Sequence, residues 1–248
     1  MDTYTYLHRR TTEYERLPPT FDVPLHSRPM QRTGLSTSRL GIDIPVMLLD
    51  QCENPSVCCP STLRGTSITA QQIIAIAPSS AQSCTNRADK NAPTECADAE
   101  KVATNIAKSF DKYQVTSPAE QAAVISLMAL ESVEFLYNRN KSPGVPGQGT
   151  RNMQSPAFNS KYAQSLNVAV SSDPAQTLDK LVDNPEWDFG SGAWFLTTQC
   201  TADVRSALQA GSETGWERYI TQCVQTQVTD KRKEYWQKAV QALGVQSS

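Results

Sequence analysis

Histidine is almost missing from this chain. His8 and His26 are its two copies, and none follows residue 26. A folded domain starting near residue 51 therefore has no histidine for a Ser-His or Cys-His nucleophile pair. Histidine-ligated zinc is excluded there too, which leaves acid–base work mainly to carboxylates. Long apolar runs are also missing: none approaches the roughly 20 residues of a membrane-spanning helix. Neither charge sign dominates, with 23 Lys+Arg against 25 Asp+Glu and a net charge of −2. The basic footprint of a nucleic-acid binder is thus absent. Internal repeats are absent as well, and strand signals are sparse.

What remains is enough for a core. The chain has 248 residues, of which 39% are hydrophobic and 19% charged. That suits one large or two small globular domains rather than a disordered chain. Seven cysteines are present: Cys52, Cys58, Cys59, Cys84, Cys96, Cys200 and Cys223. Their spacings do not make the paired C-x-x-C sets of a zinc module. No metal site and no cofactor is expected. An oxidising compartment with about three disulfides fits better than buried free thiols in the cytosol. Cys84–Cys96 and Cys200–Cys223 each bracket a short segment and are the expected pairs. Cys52, Cys58 and Cys59 leave one cysteine over.

The N-terminus conflicts with export. It is polar, without the apolar h-region of a secretory signal. Either the true start differs or export follows another route. Residues 1 to about 50 hold six arginines and no lysine, with scattered prolines and threonines. They read as a poorly ordered extension. Residues 51–248 read as a single, mostly α, disulfide-stabilised domain.

Helical spacing begins near residue 69 and recurs in "ECADAEKVATNIAKSFDKYQ". Ser117-Pro118-Ala119-Glu120 reads as a capping box with proline at the first helical position, opening a helix to about Tyr137. Asn138 to Gly149 is loop, and Gly149 to Gln154 is a candidate strand or hairpin arm. Asp173-Pro174 opens a further helix. "WDFGSGAWFLTTQC" is buried, with Trp194 and Phe195 in the core. Thr229 caps a last helix that ends before Gly244.

One face of the 118–137 helix carries Val124, Leu127, Met128, Glu131 and Phe135. Ile125 and Leu130 make the other side apolar too, so the helix is central. Glu131 thus lies inside the apolar stripe. Desolvation there favours a protonated carboxyl, which is what a general acid needs. A structural carboxylate paired with Arg151 or bonded to Asn152 is the competing reading. Downstream, "GQGTRNMQ" packs Gln148, Thr150, Arg151, Asn152 and Gln154 close together. Such groups suit a cleft for a sugar polymer, or an ordinary polar loop. Tyr137 and Tyr162 flank it as cleft candidates.

"ALESVEFLYN", with Glu-Ser near the helix end and Met153-Gln154 in a later turn, resembles the lysozyme-like superfamily. The nearest likeness is to goose-type lysozymes and lytic transglycosylases, while "FGSGAWFLTTQC" resembles chitinase- and chitosanase-type members. The stretch from about 84 to 243 also resembles a group of fungal secreted proteins. Arg151-Asn152 departs from the usual Gly-Leu before Met-Gln. The resemblance implies a lysozyme-like helical domain with a small β-hairpin and Glu131 as catalytic acid. Gln148, Thr150, Arg151, Asn152 and Gln154 would then position the sugar. An inverting enzyme also needs a second carboxylate, and Glu134, Asp173, Asp179, Asp183 and Asp188 stand unranked.

Two functions follow as expectations. One is a secreted, monomeric glycoside hydrolase acting on β-1,4-linked amino-sugar polymers such as peptidoglycan, chitin or chitosan. The other is a non-catalytic secreted protein that binds carbohydrate or a partner on the same fold. Neither involves nucleic acid or membrane.

Overall fold

The computed structural model describes residues 67–246. The expected extension (1–50), the segment 51–66 and Cys52, Cys58 and Cys59 lie outside the described residues.

Ten α-helices make up almost all the regular structure among those residues. They are α1 (Ala70–Ile76), α2 (Cys84–Arg87), α3 (Ala99–Tyr113), α4 (Pro118–Glu131), α5 (Pro156–Ser165), α6 (Pro174–Asp183), α7 (Pro185–Gln199), α8 (Ala202–Gln209), α9 (Glu213–Arg218) and α10 (Asp230–Leu243). A 3₁₀ turn (Pro78–Ala81) follows α1, and a π turn (Tyr219–Cys223) continues α9. Four of them, α4 to α7, open on proline, whose fixed φ and missing N–H cost nothing at the first helical position. Side chains of Thr69, Asp98, Asp173, Thr201 and Thr229 accept N-terminal amides. Gly244 ends α10 in the left-handed conformation that glycine adopts without a Cβ clash.

Helix α4 is the centre. Every residue from Ala119 to Ala129 is buried. It packs on α10, α8 and α7, while α3 lies against α7 and α1 spans α3 and α10. A Cβ added at Gly192 of α7 would stand 3.0 Å from both Met128 Sδ and Val124 Cγ1. Glycine there lets the two helices approach closely. Trp194 and Phe195 belong to the core as expected. Both expected disulfides form, with Cα–Cα distances of 5.7 Å for Cys84–Cys96 and 5.1 Å for Cys200–Cys223.

Three local expectations need correction. Ser117 makes no side-chain cap bond. Glu120 turns instead to Arg205, with Oε1 accepting from Nε at 2.8 Å. The hairpin is not seen among the described residues. Gly149 makes isolated bridges to Arg139 and Gln154. Positive φ at Thr150 (60°) and Met153 (49°) curls the segment back on itself, so it cannot extend. Finally, α4 stops at Glu131 rather than near Tyr137.

Candidate functional site

The early end of α4 shapes everything around Glu131. Val133, Glu134 and Phe135 have φ of 53°, 54° and 67°. None is glycine, and left-handed backbone costs such residues roughly 1–2 kcal/mol each. Surrounding groups hold the turn. Ser132 Oγ donates to Met128 O at 2.6 Å and accepts from Phe135 N at 2.9 Å. Arg87 Nη2 donates to Glu134 O at 2.6 Å, and Arg151 Nη1 to Phe135 O at 2.9 Å. The Glu134 carboxylate accepts Ser79 N–H at 2.7 Å and Tyr235 O–H at 2.8 Å. Burial works to raise its pKa. Its hydrogen bonds from Ser79 and Tyr235, with Lys238 nearby, outweigh burial and hold it below the ordinary value.

Glu131 meets a cation that the sequence does not advertise. Its Oε1 lies 2.6 Å from Arg232 Nη2, and the two side chains are 14% and 12% exposed. The carboxylate is therefore ion-paired, but with Arg232 of α10 rather than Arg151. Arg232 Nη1 is buried with no hydrogen-bond partner among the described residues. The recess there, lined by Leu127, Leu130, Trp216 and Arg232 among others, holds about 10 Å³. That is room for about one water molecule. Tyr219 titrates above its usual range, chiefly from burial and also from Glu131 and Glu120, against the opposing pull of Arg232.

The polar run points inward. Gln148, Thr150, Arg151, Asn152 and Gln154 are all buried. Thr150 Oγ1 donates to Asn152 Oδ1 at 2.9 Å, and Asn152 Nδ2 to Gln154 Oε1 at 3.2 Å. Gln154 Nε2 continues the chain to Asn159 Oδ1 at 2.8 Å, while Gln148 Nε2 reaches Met153 O at 3.1 Å. These groups are hydrogen-bonded to one another and to the backbone. Tyr162 is fully buried, and its hydroxyl donates to Trp187 O at 3.0 Å. Tyr137 is half-buried and donates to Asp89 Oδ2 at 3.3 Å.

Arg151 is the hub. Its Nε donates to Asp188 Oδ2 at 2.8 Å, and Nη2 to Glu95 O at 2.6 Å. Nη1 also reaches Tyr137 O at 3.3 Å, and the guanidinium stands 4.8 Å from the Phe189 ring centroid. Burial pushes the Asp188 carboxyl up, against the pull of Arg151 and Asn138. Of the other carboxylates considered, Asp173 caps α6 and Asp179 pairs with Arg139 at 2.9 Å. Asp183 is exposed on α6. Sequence reading missed Arg232, Arg87 and Glu95. No short-range pattern marks them, because each acts on a residue far away in the chain.

A second recess, of about 160 Å³, is lined by Arg139, Asn140, Pro146, Gln148, Leu178 and Asp179 among others. Small-molecule sites usually need roughly 300–1,000 Å³. Among the described residues no group of three or more His, Cys, Asp or Glu side chains is placed to hold a metal ion.

No protein-family model matches the chain, and no solved structure matches it. It is similar to a bifunctional dioxygenase–epoxy alcohol synthase of Fusarium oxysporum (strain Fo5176), with 46% identity over 154 residues. The match covers 56% of this chain and 12% of that protein, so it spans about an eighth of the relative's length. The glycoside-hydrolase expectation is overturned by this likeness, together with its hydrolase, glycosidase and lysozyme corollaries. The relative is named for oxygenation rather than sugar hydrolysis.

Proposed function

We propose that residues 67–246 form a non-catalytic, disulfide-stapled helical module that accompanies an oxygenase of the dioxygenase–epoxy alcohol synthase kind. The observation that carries this reading is the match to about an eighth of such a protein. A segment of that size suits an accessory part beside larger catalytic regions. The interior chemistry supports the same reading. Glu131 is tied to Arg232, and the run from Gln148 to Gln154 is tied to itself and to the backbone. A redox iron site commonly draws on histidine or cysteine thiolate. The described residues contain no histidine, and their four cysteines are all in disulfides.

The likeness of "ALESVEFLYN" to the lysozyme-like superfamily is then one of helical scaffold. The burial of α4 and the turn at Met153-Gln154 support it. The two disulfides support folding in an oxidising compartment.

The test deletes the matching segment from the Fusarium relative and adds this chain in trans. Calorimetry should detect association, and the deleted enzyme should regain stability or turnover. No association, with oxygen uptake by this chain alone, would contradict the reading.

A further inference from the structure

The left-handed turn after α4 is gripped on one side by groups that flank a single disulfide. Ser79 N–H binds Glu134 Oε2 at 2.7 Å. Arg87 Nη2 binds Glu134 O at 2.6 Å, and Ala97 N–H binds Phe135 O at 2.9 Å. Arg87 also ties this side together, donating to Ser79 Oγ at 3.0 Å and to Ala97 O at 3.2 Å. Between Cys84 and Cys96 the chain has only the four-residue helix α2 and turns. The Cys84–Cys96 bond joins the chain just before Arg87 to the residue next to Ala97.

The turn itself opposes this grip. The stretch from Val133 to Phe135 has helical periodicity, yet all three residues have φ above 50°. Left-handed backbone is disfavoured for such residues, so the segment gains by leaving that conformation once released. Glu95, next to Cys96, adds a second link. Its Oε2 accepts Asn138 N–H at 3.2 Å, and its carbonyl accepts Arg151 Nη2 at 2.6 Å.

We propose that the Cys84–Cys96 disulfide is a redox-controlled clasp that holds residues 133–137 in their left-handed path and opens when a dithiol reduces it. Cys84 is half-buried and Cys96 buried, so Cys84 is the end open to attack. A thiolate of the dithiol bonds to the Cys84 sulfur, and the Cys84–Cys96 bond breaks. The reductant's second thiolate then closes the reductant's own disulfide and frees Cys84. Two electrons pass to the cystine, and each freed sulfur takes one proton. Arg87 and Ala97 then lose their fixed spacing and release the carbonyls of Glu134 and Phe135. Arg151, Ser132 and Tyr235 still hold the turn from the other side, so the effect is local opening rather than unfolding. This inference does not depend on the accessory reading.

Hydrogen exchange on the full chain tests it, with and without dithiothreitol. The variants are C84S/C96S and, as a control, C200S/C223S. Amides of Ala97, Glu134 and Tyr137 should exchange about tenfold faster or more in the reduced protein and in C84S/C96S. The control should leave those amides unchanged. Rates within about twofold of the parent in C84S/C96S would overturn the proposal. So would an equal rise across α3 and α10, which marks a global staple. Should C84S/C96S not fold, Arg87→Met with the disulfide closed gives the same readout. It should quicken exchange at Glu134 and Ala97, and unchanged rates there would overturn the clasp.

Discussion

Arg151→Met is the most informative single change. Arg151 is 1% exposed and joins Asp188, Glu95, Phe135 and Tyr137. Methionine fills much of the volume and removes every donor. Asp188, 2% exposed, is then left as a buried carboxylate without its cation. Breaking a buried pair from one side typically costs about 3–5 kcal/mol. The Glu95 carbonyl loses its Arg151 partner too, worth about 1–3 kcal/mol when buried and unmet, while Phe135 O keeps the Ala97 N–H. A domain of this kind has roughly 5–15 kcal/mol in total, so the variant should lose at least about 3 kcal/mol. Urea unfolding followed by tryptophan fluorescence measures it. Adding Asp188→Asn should recover about 1–2 kcal/mol, because no charge is then stranded. A loss below about 1 kcal/mol in the single variant, with no recovery in the double, would refute the hub.

Other consequences are open to the same methods. Glu131→Gln weakens the ion pair with Arg232 and should cost about 1–3 kcal/mol, the penalty for a buried polar group left without its partner, and Arg232→Met should show coupling of at least about 0.5 kcal/mol with it in a double-mutant cycle. Val133→Gly should stabilise the protein by up to about 1 kcal/mol, because glycine accepts positive φ freely. Chemical denaturation showing a clear loss would count against strain at that turn. Glu134 has a folded-state pKa below its ordinary value of 4.5. A depressed carboxyl contributes stability that is present above the unfolded value and lost as pH falls through the folded one. Acid titration of stability below about pH 4.5 should therefore be shallower in Glu134→Gln than in the parent.

Much of the helical plan is legible in the sequence. Proline at the first helical position, Thr229 and Asp173 as caps, Trp194 and Phe195 in the core and two disulfides all follow from local rules. These features depend on neighbours in the chain. The misread parts depend on distant ones. Helical spacing continues past Glu131, yet Arg87, Arg151 and Tyr235 reach in from elsewhere and bend the chain left-handed. Burial of Glu131 is visible in its spacing. Its partner Arg232, about a hundred residues on, is not. The run Gln148 to Gln154 shows the sharpest ambiguity. Polar groups that converge on a ligand and polar groups that satisfy each other have the same composition, and only the fold separates them.

The most direct measurement is calorimetric titration of this chain into the Fusarium dioxygenase–epoxy alcohol synthase lacking its matching segment. A saturable one-to-one association, with no oxygen consumed by the chain alone, is the predicted result. No heat of binding, together with turnover by the isolated chain that Glu131→Gln abolishes, would contradict a non-catalytic accessory module.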